Sequence, residues 1–231
     1  MAQSPNRILD VLPQNIFAAL RSHLSVVNLV FGDLIAEPGK PVARVYFPHT
    51  GVVSLVVEME VGDMIETAMV GRDGVANATS ALDGKLALHK GIIQAAGSAS
   101  AIHPDALRSI ADEFDPFRSL LIRHEQVLLA QAQQSAGCNA SHTVEARMCR
   151  WLLRIRDLMQ SDEMELTQEF LAQMLGVRRT SVTLHAGTLQ KAGMIRYRRG
   201  HIKITDVEAV QSGACECYER VRSHYELMLS R

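Results

Sequence analysis

Long apolar runs are absent from this 231-residue chain. The longest, Val52–Val57, is interrupted by Ser54 and falls far short of the roughly 18 residues that a membrane helix needs. Met1 to Asp10 contain no apolar signal core, so the expected location is the cytoplasm. No segment is low in complexity, and none has a disordered composition. Cysteine is scarce, with Cys138, Cys149, Cys215 and Cys217 as the whole supply. Their spacing fits no four-ligand zinc pattern, and Cys-x-Cys is too short for the usual Cys-x-x-Cys redox pair. Reduced, buried thiols are the expectation. A redox sensor is the alternative, but a low-pKa thiolate needs a nearby cation and only Arg220 is close in sequence. Metal-ligand spacing is missing among His23, His49, His89 and His103 as well, so no metal ligand is assigned and no cofactor is required.

What remains is an ordinary globular composition, 47% apolar and 21% charged, long enough for two modest domains. The formal net charge of −1 conceals an uneven distribution. Residues 1–115 are acidic on balance. Residues 166–205 carry Arg178, Arg179, Lys191, Arg196, Arg198, Arg199 and Lys203 against Glu169 alone. A confined basic block in a near-neutral chain suits contact with a polyanion, whose counterions are released on binding.

The texture of the chain changes twice. Leu9, Leu12, Phe17 and Leu20 suggest a short amphipathic helix with Pro13 near its first turn. β-Branched runs at Val26–Phe31, Val42–Phe47, Gly51–Val57 and Ile92–Ala95 then alternate with turn residues such as Gly32, Pro38-Gly39, Gly62, Gly71, Gly74 and Gly84. Many short strands with frequent turns predict a compact β-barrel or roll. From Pro104 onward helices take over. Asp115-Pro116 is a start signal for a long one, with Asp115 as N-cap, that Gly137 is expected to end near Ala136. Its stripe is Phe117, Leu120, Leu121, His124, Val127, Leu128 and Gln131, read as a dimer seam in which a polar residue fixes register. A packed connector within one subunit is the other reading. Asn139 to Ser141 form a polar hinge, with Ser141 as the next N-cap. The organisation is therefore α+β: a β-roll domain over 1–114, a central helix and hinge over 115–140, and a winged-helix domain with a C-terminal helix over 141–231.

The most informative stretch is Gln168 to Leu189. Thr167 caps a first helix whose apolar face is Phe170, Leu171, Met174 and Leu175. Ala172 stands where a second helix would cross. Gly176, four residues later, supplies a left-handed turn, and Val182, Ala186 and Leu189 bury the second helix. Small residue, Gly at +4 and Val at +10 is helix-turn-helix spacing. Alternation over Met194–Arg198 and His201–Thr205, around Arg199-Gly200, adds a hairpin and makes the unit a winged helix. A plain three-helix packing unit would share the apolar pattern. It would leave the exposed Arg, Thr, Ser and Lys unexplained. The DNA-contacting candidates are Thr167, Gln168, Arg178, Arg179, Thr180, Ser181, Thr183, His185, Arg199 and Lys203. The start of the second helix should reach base edges, with Arg179 forking onto a guanine, while the wing and Thr167 suit phosphates.

Thr167-Gln-Glu-Phe-Leu-Ala-Gln-Met-Leu-Gly176-Val-Arg-Arg179-Thr-Ser-Val182, together with Phe31-Gly32-Asp33 through Tyr46-Phe47 to Gly51, resembles the catabolite-activator/fumarate-nitrate regulator (CRP/FNR) family. The resemblance implies a cyclic-nucleotide-binding-like β-roll, a central dimerisation helix and a C-terminal winged helix. It also implies a homodimer on a palindromic duplex, with RNA polymerase as a partner and no enzymatic activity. Departures from the family pattern are specific. Gly71-Arg72-Asp73-Gly74 keeps both glycines of the phosphate cassette but puts Arg72 where the ribose-binding glutamate stands, and the following Arg-Ser is missing, with His89-Lys90 the nearest basic pair. This argues against cyclic AMP and leaves Gly71, Arg72, Gly74, Val75 and His89 as the candidate effector pocket for an unknown ligand. Thr180 and Leu184 replace two of the family's recognition residues, so base preference should differ. Two other classes compete: a cupin-like metal-dependent enzyme, which lacks clustered ligands here, and a nucleotide-responsive module without DNA binding, which the basic helix-turn-helix disfavours.

Overall fold

The computed structural model describes residues 3–60, 62–79, 81–82 and 86–230, so the turn expected at Gly84 lies outside them. Helices α1 (Arg7–Asp10) and α2 (Gln14–Arg21) stand where a single amphipathic helix was expected. Pro13 divides them, because a residue without an N–H cannot continue the helical ladder, and it takes the N-cap position of α2.

Strands β1 (Ser25–Leu29), β2 (Leu34–Ala36), β3 (Val45–Glu58), β4 (Met64–Val70) and β5 (Lys90–Ile102) make one antiparallel sheet. Its order is β1-β5-β3-β4, with β2 also on β5. The strands are fewer and longer than the turn residues suggested. Gly51 does not end a strand; it sits inside β3 at φ +84°. A Cβ there would stand 2.7 Å from the Ala95 carbonyl oxygen, and one on Gly97 opposite would stand 2.4 Å from the Thr50 carbonyl. The two glycines let β3 and β5 bulge past each other, which is why the register shifts there.

Alternation along β3 feeds two cores. Val53 and Leu55 pack inside the roll with Leu29, Val70 and Ile93. Val52 and Val56 face outward onto Trp151 and Leu152. A strand covered on both faces reads as an unbroken apolar run, and this is the origin of Val52–Val57.

Helices α3 (Pro104–Glu113), α4 (Asp115–Ser141) and α5 (Val144–Met159) follow. Asp115 is the first helical residue of α4 rather than its N-cap, a position taken by Phe114. The helix passes through Gly137, which keeps ordinary helical backbone and so does not terminate it. The break comes at His142-Thr143, and Thr143, not Ser141, caps α5 by accepting the Ala146 N–H. Asn139 to Ser141 are thus helical, and the hinge residues lie just beyond them.

After α5 come β6 (Glu163–Glu165), α6 (Gln168–Leu175), α7 (Arg179–Lys191), β7 (Ile195–Arg198), β8 (His201–Ile204), α8 (Val207–Gly213) and α9 (Cys217–Leu229). The charged stretch Ser161–Glu165 contains β6, which joins the hairpin in the order β6-β8-β7. Only Met164 of that strand is buried, and three residues are too few to display a strand period.

Helix α9 returns to α4, where Val221 and Tyr225 share a core with Phe117, Leu120, Leu121, Ile8 and Leu107. Leu128 joins the roll core. His124 and Gln131 are buried, and Val127 is half-buried. The stripe read as a dimer seam is therefore spent seating α4 on its own roll and on α9.

Candidate nucleic-acid interface

The helix-turn-helix forms as its local signals dictate. The Thr167 hydroxyl accepts the Phe170 N–H at 3.1 Å, closing the start of α6. Gly176 ends the helix at φ +61°, a backbone that costs a side chain without Cβ nothing. A Cβ at that position would stand 3.3 Å from Ile65 of β4, so the turn also nests against the roll. Val182, Ala186 and Leu189 bury one side of α7 in the core shared with Leu171, Ala172 and Leu175. Burying that side leaves Arg178, Arg179, Thr180, Thr183 and Leu184 exposed. Among the described residues no side chain caps α7, so the helix start can offer N–H groups to an acceptor.

Thr167, Gln168, Arg179, Thr183 and Arg199 converge on one concavity of about 430 Å³, bounded by the start of α6, the exposed side of α7 and the wing. Within it the Thr183 hydroxyl donates to Gln168 Oε1 at 2.7 Å, and the Tyr197 hydroxyl donates to the Leu166 carbonyl at 2.8 Å. The wing turn places Arg199 at φ +51° and Gly200 at φ +82°, both positive as a two-residue right-twisted hairpin requires. Arg179 is only loosely engaged, 4.0 Å from Glu169.

The remaining candidates are dispersed. Arg178 and Ser181 line a neighbouring notch with Asp63, Ile65 and Glu169, where the turn between β3 and β4 approaches α7. Thr180 is exposed on the first turn of α7. His185 points back toward α5, with Nδ1 3.4 Å from Glu145. Lys203 lies in a second concavity with Arg196 and Arg198, and Glu163 engages it at 2.6 Å.

The roll and the winged half are packed together. Glu66 accepts the Trp151 indole N–H at 2.9 Å and the Ser54 hydroxyl at 2.6 Å. Arg154 is paired with Asp73, and the rings of Phe31 and Phe170 lie 5.4 Å apart. Of the expected effector residues, Gly71 lies at this contact, and Gly74 and Val75 lie against α4. A Cβ on Gly71 would stand 2.8 Å from Leu158, and one on Gly74 would stand 2.7 Å from His124 Nε2. The Val75 N–H donates to that same nitrogen at 3.2 Å. Both glycines are thus explained by close helix contacts. Arg72 Nη2 reaches the Pro5 carbonyl at 3.5 Å, and the half-buried His89 has its pKa lowered by burial.

The structure also gathers a cluster to which the sequence reading assigned no ligand role. Cys138, His142, Cys215 and Cys217 bring their ligand atoms within 4.8 Å of one another. The Cys138 thiol is pulled down to about 5 by the hydrogen bond from Cys215, while Cys215 is pushed up by that same partner and Cys217 by burial. Cys138 and His142 stand four apart on one face at the end of α4, a signal present in the sequence. Its pairing with Cys215-x-Cys217 depends on how α9 returns.

Residues 146–212 match the family model of the Crp-like helix-turn-helix domain. Among solved structures, the chain is similar to FixK2 from Bradyrhizobium japonicum, with a TM-score of 0.70 at 15% identity over 83% of this chain and 98% of that one. It is similar to TTHA1359, a CRP/FNR-family transcriptional regulator from Thermus thermophilus, with a TM-score of 0.66 at 21% identity over 82% and 98%. A third is the c-di-GMP responsive global regulator CLP from Xanthomonas campestris, with a TM-score of 0.65 at 14% identity over 83% and 99%. No curated protein matches by sequence. No helix among the described residues is long and apolar enough to cross a membrane.

Proposed function

From a chain of the CRP/FNR type, with a Crp-like helix-turn-helix domain carried on the fold of those transcription regulators, we propose a homodimer that regulates transcription at a palindromic duplex site, responding to an effector other than cyclic AMP. The observation that carries this reading is the convergence of Thr167, Gln168, Arg179, Thr183 and Arg199 on one exposed concavity beside the start of α7. That end enters the major groove, Arg179 reads a base edge, and Arg199 with the start of α6 holds phosphates.

The exposed side of α4 supports the dimer. Ser119, Ile122, Gln126, Leu129, Gln133, Ala136 and Ala140 recur at steps of three and four and are all exposed. Among them Ile122 is 46% and Leu129 60% accessible. That is the spacing of a heptad repeat, in which Gln126 and Gln133 would be the polar register positions. Pairing along it sets two α7 helices on one duplex face about 34 Å apart, one helical turn. Cyclic AMP is disfavoured because Arg72 replaces the expected carboxylate and the neighbouring Asp73 is committed to Arg154. RNA polymerase is the expected protein partner, and the cytoplasm the expected location. Selection of bound duplexes from a randomised pool tests the proposal. Enrichment of a two-fold-symmetric sequence is expected, and retention of no duplex at low ionic strength, whatever small molecule is added, overturns it.

A further inference from the structure

Three of the chain's four cysteines, drawn from positions as far apart as 138 and 217, meet at one point with a histidine, and we propose that Cys138, His142, Cys215 and Cys217 bind a single zinc-class metal ion as a Cys₃His site. Cys138 Sγ lies 3.5 Å from Cys215 Sγ, and Cys217 Sγ lies 3.6 Å from His142 Nδ1. Zinc bonds of about 2.3 Å to sulfur and 2.0 Å to nitrogen set tetrahedral neighbours roughly 3.5–3.8 Å apart. Four donors all within 4.8 Å of one another suit one ion; a two-iron cluster would split them between two centres.

The surroundings are those of a ligand set rather than of thiols packed as small hydrophobes. The other imidazole nitrogen, His142 Nε2, faces the Glu216 carboxylate at 3.2 Å, an arrangement that fixes the tautomer and leaves Nδ1 free to bind metal. Gln134 Nε2 donates to Cys217 Sγ at 2.9 Å. Cys138 is near the C-terminal, electronegative end of α4 and Cys217 opens α9, so a cation between them suits the first helix and a thiolate suits the second. The three cysteines are buried, while the His142 side chain is 24% accessible to solvent. On binding, each thiol yields its proton to solvent as its sulfur joins the ion. The ion would clasp α4, beside its junction with α5, to the connector that leads into α9.

The test titrates reduced full-length protein with Co²⁺ and then Zn²⁺. One Co²⁺ per chain is expected, with tetrahedral ligand-field bands and a thiolate charge-transfer band that one equivalent of Zn²⁺ removes. C138A and C217A lose the charge-transfer intensity and the stoichiometric binding. C149A, which removes the one cysteine outside the cluster, keeps both. E216Q changes an exposed side chain, so it keeps the fold even if the cysteine variants do not, and should weaken zinc 10- to 100-fold in competition with a chromophoric chelator. Absence of stoichiometric binding by the reduced wild type, an octahedral cobalt spectrum, iron with inorganic sulfide in the isolated protein, or unchanged zinc affinity in E216Q would each overturn the assignment. DNA binding is read separately, so failure here leaves the regulator reading standing.

Discussion

Arg154 meets Asp73 through two hydrogen bonds, 2.7 and 3.3 Å long, in a place where each residue is only 5% exposed. Arg154 belongs to α5 and Asp73 to the loop after β4, so the pair fastens the roll to the winged half. The same guanidinium lies 4.5 Å above the Tyr225 ring of α9, and the Tyr225 hydroxyl donates to Gln131 of α4 at 2.9 Å. Four parts of the fold meet at this point. Removing one partner strands a buried charge, so Asp73→Ala should destabilise the chain by about 3–5 kcal/mol. Urea unfolding measures this, and a loss below about 1 kcal/mol would show that water reaches the pair and screens it.

Glu66 makes the same junction sensitive to pH. Burial lifts its carboxyl from 4.5 to about 7, against the pull of the Ser54 and Trp151 hydrogen bonds. The folded chain therefore holds this proton more tightly than the unfolded chain does. Its contribution is largest below pH 4.5 and is lost as pH rises to about 7. At about 1.4 kcal/mol per unit, the loss is roughly 3 kcal/mol. Glu66→Gln should flatten that part of the stability profile and exceed the wild type above about pH 7. Parallel profiles for the two proteins would exclude Glu66 as the titrating group.

At the interface, Arg179→Ala and Arg199→Ala should fail differently. Loss of a bidentate base contact costs about 1–3 kcal/mol and relaxes preference at one operator position. Loss of a phosphate contact weakens all duplexes alike and reduces the salt slope by about 1. Affinity across a matched and a mismatched operator at several salt concentrations separates the two. Equal loss on both operators for Arg179→Ala would move it to the phosphate class.

The α4 seam predicts a change in assembly without a change in fold. Leu129→Glu puts a charge at an exposed apolar seam position in each copy, where the two would be brought close together. Sedimentation should shift from dimer to monomer at micromolar protein while the helical circular dichroism is kept. Leu128→Glu, only one residue away but inside the roll core, should instead unfold the chain. If Leu129→Glu left the dimer intact, the two copies would have to meet on another surface.

Local chemistry was enough for the winged helix. The Thr167 cap, the left-handed Gly176, the apolar positions of α7 and the Arg199-Gly200 turn each act within a few residues, so their spacing reads directly as structure. The β-roll, with a long helix and the winged helix after it, was legible for the same reason. What needed the third dimension was which face of a helix meets which neighbour. The stripe from Phe117 to Gln131 looked like a seam because it is apolar, yet α9, from almost a hundred residues away, already covers it. Periodicity identifies a face that must be buried and is silent about the partner. The cysteines followed the same logic in reverse: Cys138 and His142 show half a site, and only the return of α9 along α4 supplies the other half. Contacts within one turn are set by bond geometry, whereas contacts between distant segments are set by which packing buries the most surface, and that is a property of the whole chain.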